Sequence, residues 1–209
     1  MVRVKICGIT NAADALAAVD AGANLLGFNF YEKSPRHIAP AEAAKIRTRL
    51  PKRVKAVGIF VNSHATEVIA LQKLLRLDAV QLHGDETPQT VGEIAPAVSV
   101  IKAFRIDPDF RLEALEEYRE VFAFLFDAAH DSQYNSTGRT TEWDVAQRAA
   151  LSHRIILAGG LKVENVAAAV RIVRPYGIDV ASGVESRPGK KDHGRLREFI
   201  QEVRRAERR

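Results

Sequence analysis

Residues 2–22, VRVKICGITNAADALAAVDAG, hold one complete structural unit, and its reading sets how the rest of the chain is read. Val4 and Ile6 alternate with Arg3 and Lys5, the period of a strand with one apolar face, so Val2–Ile6 is expected to be extended. Asn11 can cap a helix over Ala12–Ala21, and Gly22 suits its left-handed stop. Between strand and helix lies Cys7, the one cysteine of the chain.

The same strand-then-helix unit recurs to the end of the sequence. Further strands are expected at Asn24–Phe28, Val54–Phe60, Ala79–Leu82, Val98–Ala103, Val121–Phe126, Ile155–Ala158 and Ile178–Ala181. Pro40 opens a helix that ends near Leu50, because Pro51 follows. Ser63 can cap a helix with Val68, Leu71, Leu74 and Leu75 on one face, and Thr87-Pro88 starts another. Helices are also expected at Phe110–Arg119, Val145–Ala150, Asn165–Val173 and Gly194–Glu207. Eight βα units in 209 residues, about 26 each, predict an α/β fold, a (β/α)8 (TIM) barrel, with residues 1–209 as a single domain. An open doubly wound sheet is the rival, but eight repeats without a break in composition favour closure.

In a barrel, one side-chain parity faces the helices and the other the interior. With Val4, Ile6, Val80, Leu82, Phe124, Phe126, Ile178 and Val180 outward, the inner face takes Lys5, Cys7, Gln81, His83, Leu125, Asp127, Asp179 and Ala181. Buried charges are costly unless paired, so Lys5 and Asp179, on strands that become neighbours on closure, are expected to pair.

Active sites of such barrels lie at the C-terminal ends of the strands, where Cys7, Asn29, His83 and Asp127 fall. Taken singly, Cys7 reads equally as an inert buried thiol, His83 as a structural histidine and Asp127 as a loop cap. Their convergence on one barrel end favours chemistry. Gly159 and Gly160 follow strand 7, and Ser182 and Gly183 follow strand 8. Those two loops form the usual phosphate site of this architecture, where glycine lets backbone N–H groups approach the oxygens. Arg36, in SPRHI after strand 2, has the planar fork that binds a carboxylate. The polar run AAHDSQYNSTGRTTEW after Asp127 reads as a lid over the mouth.

Other chemistries find no support. GVESRPGKK has the wrong spacing for a phosphate-binding Walker loop, and no GxGxxG occurs. The six histidines, His37, His64, His83, His130, His153 and His193, show no metal-ligand spacing, so no metal site is expected. The net charge of +5 is concentrated in GRLREFIQEVRRAERR, an amphipathic helix with Leu196, Phe199, Ile200 and Val203 on one face. Interspersed glutamates make that a solvated surface rather than a nucleic-acid site. The absence of a long apolar run, of a leader pattern and of a second cysteine predicts a cytoplasmic protein with no membrane partner; the sequence leaves monomer and homodimer equally open.

In order along the chain, KICGIT (5–10), GFNFYEKSPR (27–36), VGIFVN (57–62), VQLHGDE (80–86), LAGGL (157–161) and SGVESRPGKKD (182–192) resemble the phosphoribosylanthranilate isomerase family nearly end to end. The resemblance implies a cofactor-free barrel that performs an Amadori rearrangement in tryptophan biosynthesis on a small phosphorylated substrate. It implies Cys7 as general base and Asp127 as general acid, with Arg36 at the anthranilate carboxylate. It places phosphate at the loops of Gly159, Gly160, Ser182 and Gly183, and His83 and Asp179 against the substrate. The family's GGTG run reads NSTG here, Asn135 to Gly138, a less permissive loop. A related phosphosugar barrel such as indole-glycerol-phosphate synthase would want a lysine and a glutamate at strand ends, where strand 1 offers cysteine. A non-catalytic barrel binding nucleic acid through the basic helix is the remaining alternative.

Overall fold

The structure, a computed structural model, describes residues 1–107, 109–128 and 141–208. Strands and helices alternate: β1 (Arg3–Ile6), α1 (Ala12–Ala21), β2 (Leu25–Asn29), α2 (Pro40–Arg47), β3 (Lys55–Phe60), α3 (Ala65–Leu75), β4 (Ala79–Leu82) and α4 (Pro88–Ile94). They continue with β5 (Ser99–Ile106), a 3-10 helix (Leu112–Glu117), β6 (Ala123–Ala128), α5 (Thr141–Ala149), β7 (Ile155–Ala158), α6 (Val163–Val173) and β8 (Gly177–Val180). A hairpin, β9 (Glu185–Arg187) with β10 (Lys190–Lys191), precedes α7 (His193–Glu207). Strands β1 to β8 are parallel and close on themselves, β1 pairing with both β2 and β8, so no open edge is left.

The opening unit folds as read. Asn11 accepts the backbone N–H of Asp14 at 2.9 Å, and Gly22 ends α1 at φ 102°, a conformation that favours glycine. The strand parity holds as well. Val4, Ile6, Val80, Leu82, Phe124, Phe126, Ile178 and Val180 lie in the layer between sheet and helices, together with Leu196, Phe199, Ile200 and Val203 of α7. A separate apolar cluster of Val57, Ala79, Ile101, Ala103, Ala123, Leu125, Ile156 and Ala158 fills the barrel interior. Each fully buried aliphatic or aromatic side chain contributes about 1.5–3 kcal/mol against the entropy cost of ordering the chain.

Several expected boundaries are corrected. The residue capping α3 is His64, not Ser63, and it makes no side-chain cap bond. The helix expected over Phe110–Arg119 is only the 3-10 helix. Its first residue is diverted, since the Phe110 ring packs on Phe104 at 5.6 Å and Phe126 at 5.4 Å. Strand β5 runs on to Ile106 because its pairing with β6 continues to Ala128. Helix α2 stops at Arg47 rather than near Leu50, and α5 starts at Thr141 rather than Val145. Trp143, expected within the lid, is instead buried on α5. The rest of that lid and the NSTG run lie outside the described residues. Among the described residues, no helix is long and apolar enough to cross a membrane, and no cluster of side chains could hold a metal ion.

Candidate active site

A cavity of about 550 Å³ opens at the C-terminal ends of the strands. Its lining includes Cys7, Asn29, Arg36, Gln81, His83, Asp127, Gly159, Gly160, Asp179 and Ser182, so nearly every residue singled out in the sequence meets there. Gly183 does not line it. A second cavity, about 350 Å³ at the opposite barrel end, shares only Lys5 with the inner polar set.

Cys7 follows β1 directly. Its N–H donates to Val180 O at 2.9 Å and its carbonyl accepts from Lys191 Nζ at 2.6 Å, so the backbone is held from both sides. The sulfur lies beside Gly27 of β2, where any side chain would put a Cβ 3.2 Å from Sγ. Lys5 and Asp179 pair in register across β1 and β8 at 2.9 Å, both buried, as parity required. Burial pushes the Cys7 thiol up, and the Asp179 charge adds to that; Lys5, then Lys191, pull it back, with the net direction upward. Burial also works against the Lys5 charge, but Asp179 and Cys7 outweigh it and leave the ammonium firmly protonated.

Across the barrel, Asp127 ends β6, and its Oδ2 lies 3.4 Å from His83 Nε2. Gln81 Nε2 sits 2.7 Å from His83 Nδ1. With the amide nitrogen donating, the imidazole proton is placed on Nε2, the nitrogen that faces Asp127. The loop carrying His83 is fixed below by Glu86. That carboxylate accepts from Asn62 N at 2.9 Å and Gly84 N at 3.0 Å, and pairs with buried Lys102 at 3.0 Å.

Arg36 is positioned by its own loop. Asn29 donates to Ser34 Oγ at 3.0 Å, and Ser34 Oγ accepts from Arg36 N at 3.1 Å. The guanidinium is not free: Nε and Nη2 grip Glu185 at 2.9 and 2.7 Å. Glu185 in turn takes Lys191 Nζ at 2.8 Å, and Lys191 also reaches Ala181 O at 3.2 Å. Two cations on one carboxylate leave this cluster with a net positive charge, favourable to an anionic ligand. Glu185 and Lys191 were given no role in the sequence, where GVESRPGKK was rejected as a Walker loop and otherwise served only as part of a family motif. The Pro-Gly turn between two short polar runs was the available signal of the hairpin.

After β7, Gly159 and Gly160 take consecutive positive φ values of 83° and 59°, which turn the backbone toward the cavity ahead of α6. Gly183 packs against this loop, and a Cβ there would overlap the carbonyl oxygen of Leu161. Gly183→Ala is therefore expected to push the two loops apart, costing about 1–3 kcal/mol. Thermal unfolding checks this. For a chain of this length the midpoint should fall by roughly 3–10 °C. Gly160→Ala, whose Cβ would meet nothing within 4 Å, should cost only the strain of its φ of 59°, about 1 kcal/mol, and a Gly183→Ala loss no larger than that would contradict the loop-contact argument.

Fold and cavity together define a closed (β/α)8 barrel with a carboxylic acid, a thiol and cationic groups at its catalytic end. A family model described as N-(5'phosphoribosyl)anthranilate (PRA) isomerase matches residues 4–202, and the chain belongs to that family. An N-(5'-phosphoribosyl)anthranilate isomerase of Pelobacter propionicus is 51% identical over 200 residues, 96% of this chain and 94% of that one. The crystal structure of phosphoribosyl anthranilate isomerase from Thermotoga maritima superposes with a TM-score of 0.89 at 42% identity, covering 98% of this chain and 99% of the other. A phosphoribosyl anthranilate isomerase in complex with reduced 1-(o-carboxyphenylamino)-1-deoxyribulose 5-phosphate superposes at 0.87 and 41% identity, with the same coverage of both chains.

Proposed function

We propose that this chain, acting as one barrel domain, isomerises N-(5-phosphoribosyl)anthranilate to 1-(2-carboxyphenylamino)-1-deoxyribulose 5-phosphate in tryptophan biosynthesis. The observation that carries the reading is the meeting of Cys7, Asp127 and Arg36 around one cavity in a chain of this family. A cytoplasmic location fits a biosynthetic enzyme with a single cysteine.

Each residue has a chemical task. Asp127 gives a proton to the furanose ring oxygen, the C1–O bond breaks, and an iminium forms between C1 and the anthranilate nitrogen. The Cys7 thiolate takes the proton from C2, giving an enaminol. Gain of a proton at C1 and loss of the hydroxyl proton at C2 then give the ketone, so the sum is an isomerisation. Gly159, Gly160 and Ser182 offer the phosphate site, and Gly183 keeps the two loops close. His83 and Asp179 face the sugar. Phosphate and carboxylate anchors at the two ends orient the reacting carbons between them.

Turnover of phosphoribosylanthranilate generated in situ, followed by loss of its anthranilate-type fluorescence, tests the activity; no turnover above background would refute it. Arg36→Ala tests carboxylate recognition. Loss of a charge-assisted contact, about 1.5–3 kcal/mol, should raise KM roughly 10- to 100-fold while kcat changes little. An unchanged KM would remove Arg36 from that role.

A further inference from the structure

Charged groups from four segments surround Cys7: Lys5 on β1, Asp179 on β8, Lys191 on β10 and Arg36 from the loop after β2. Two of them are committed elsewhere. Arg36 is gripped by Glu185, and the three N–H bonds of Lys191 go to Cys7 O, Ala181 O and Glu185. Lys5 is different. It gives one bond to Asp179 Oδ2 and lies two positions before Cys7 on the same inner face of the chain, in register with Asp179, so a carboxylate and a thiol flank one buried ammonium.

Asp179 is half satisfied. Its Oδ2 holds Lys5, while its Oδ1 is buried with no hydrogen-bond partner among the described residues, on a side chain that lines the mouth cavity. A bare buried carboxylate oxygen is costly, and it is an acceptor ready for a donor that arrives with a ligand. A phosphorylated sugar, the ligand of the isomerase reading, carries hydroxyl donors that such an acceptor can take.

We propose that Asp179 is a substrate-operated counter-charge for Cys7: a sugar hydroxyl donating to its Oδ1 loosens its hold on Lys5, and Lys5 then bonds the sulfur and stabilises the thiolate. The thiol proton leaves to solvent through the open mouth, and the thiolate then takes the C2 proton in its place. Asp179 is in this sense a positioning residue as well as a substrate contact. The inference rests on the isomerase reading for the identity of the hydroxyl. The opposed effects of Asp179 and Lys5 on the thiol agree with it, since one carboxylate and one ammonium of the same ion pair act on Cys7 with opposite sign.

The single cysteine makes this directly measurable, because alkylation by iodoacetamide reports Cys7 alone and its rate follows the thiolate fraction. At pH 7.5, Asp179→Asn should be alkylated about tenfold faster than the unaltered chain, and Lys5→Met about tenfold slower. Both variants break the same ion pair, so a merely structural pair would move both rates in one direction; rates of the same sign, or no change in either, would overturn the proposal. Should Lys5→Met fail to fold, the unaltered chain supplies the second readout. Its thiolate absorbance at 240 nm, taken as the difference from Cys7→Ser, should rise at lower pH with saturating ribitol 5-phosphate than without it. An unmoved midpoint, or no binding of the polyol phosphate, would also overturn the proposal. Turnover enters neither readout, so loss of the isomerase reading and loss of this inference are distinguishable.

Discussion

Cys7→Ala is expected to lower kcat by about 10²–10⁴, the range for removing a general base, with little loss of stability. The stability half follows from how the residue is held. Its N–H bonds Val180 O and its carbonyl bonds Lys191 Nζ, and both contacts survive in alanine. The catalytic half follows from chemistry, since among the described residues lining the cavity no other group combines a strong basic form with a place at the end of β1. The pH dependence gives a further check. The base works only when deprotonated, and burial and Asp179 push the free thiol above its ordinary value near ~8.5. The acid limb of kcat/KM, which reports the free protein, should therefore climb through neutral pH and beyond. The limb of kcat, which reports the complex, should lie at lower pH if substrate relieves the Asp179 charge. Near-normal turnover in Cys7→Ala would end the assignment.

The parts of this site that were legible in the sequence are those carried by strand period. Val4 and Ile6 against Lys5, and Ile178 and Val180 against Asp179, were enough to place an ammonium and a carboxylate on one inner face, and barrel closure put them in register. The residues that escaped are those whose meaning is a partner far along the chain. Glu185 is 149 positions from Arg36, and nothing local marks it as the carboxylate that the guanidinium will hold. Lys191 reads as one of two lysines after a turn, yet it is buried while Lys190 is exposed, a distinction set by the hairpin seated against β1 and β8. Phe110 failed for the same reason in another form. Its helical surroundings lose to two aromatic contacts supplied by strands β5 and β6. Gln81 was placed on the inner face correctly, but its task of orienting His83 depends on a side-chain contact, which strand period does not encode.

This division bears on substrate recognition. The Arg36–Glu185–Lys191 cluster joins three parts of the mouth that are remote in sequence: the loop after β2, the hairpin, and the backbone of Cys7 and Ala181. A carboxylate arriving at Arg36 therefore meets a donor already held by Glu185, so less side-chain freedom is lost on binding. The same cluster ties that anchor to the backbone of the base. In the proposed reaction, recognition at one end of the substrate would thereby be linked to the position of the thiol at the reacting carbon.

Asp127→Asn is the second large loss expected, again about 10²–10⁴ in kcat, and it should leave KM nearly unchanged. Asparagine keeps the shape of the side chain and its ability to hydrogen-bond, but it has no proton to give a leaving oxygen. Among the described residues Asp127 is paired with no lysine or arginine, and His83 Nε2 lies 3.4 Å from its Oδ2. Once the proton has gone to the ring oxygen, a carboxylate is left, and the Nε2–H of His83, held in that tautomer by Gln81, is in place to bond it. The assistance is thus given to the ionised product of the proton transfer, the state that needs it. His83→Ala should accordingly cost less than Asp127→Asn, about 10-fold in kcat, because it removes stabilisation and leaves the proton donor in place. Steady-state kinetics on the two variants separates these roles. If His83→Ala were the more damaging, the histidine would be the acid and Asp127 its partner; if Asp127→Asn turned over normally, neither assignment at the end of β6 would stand.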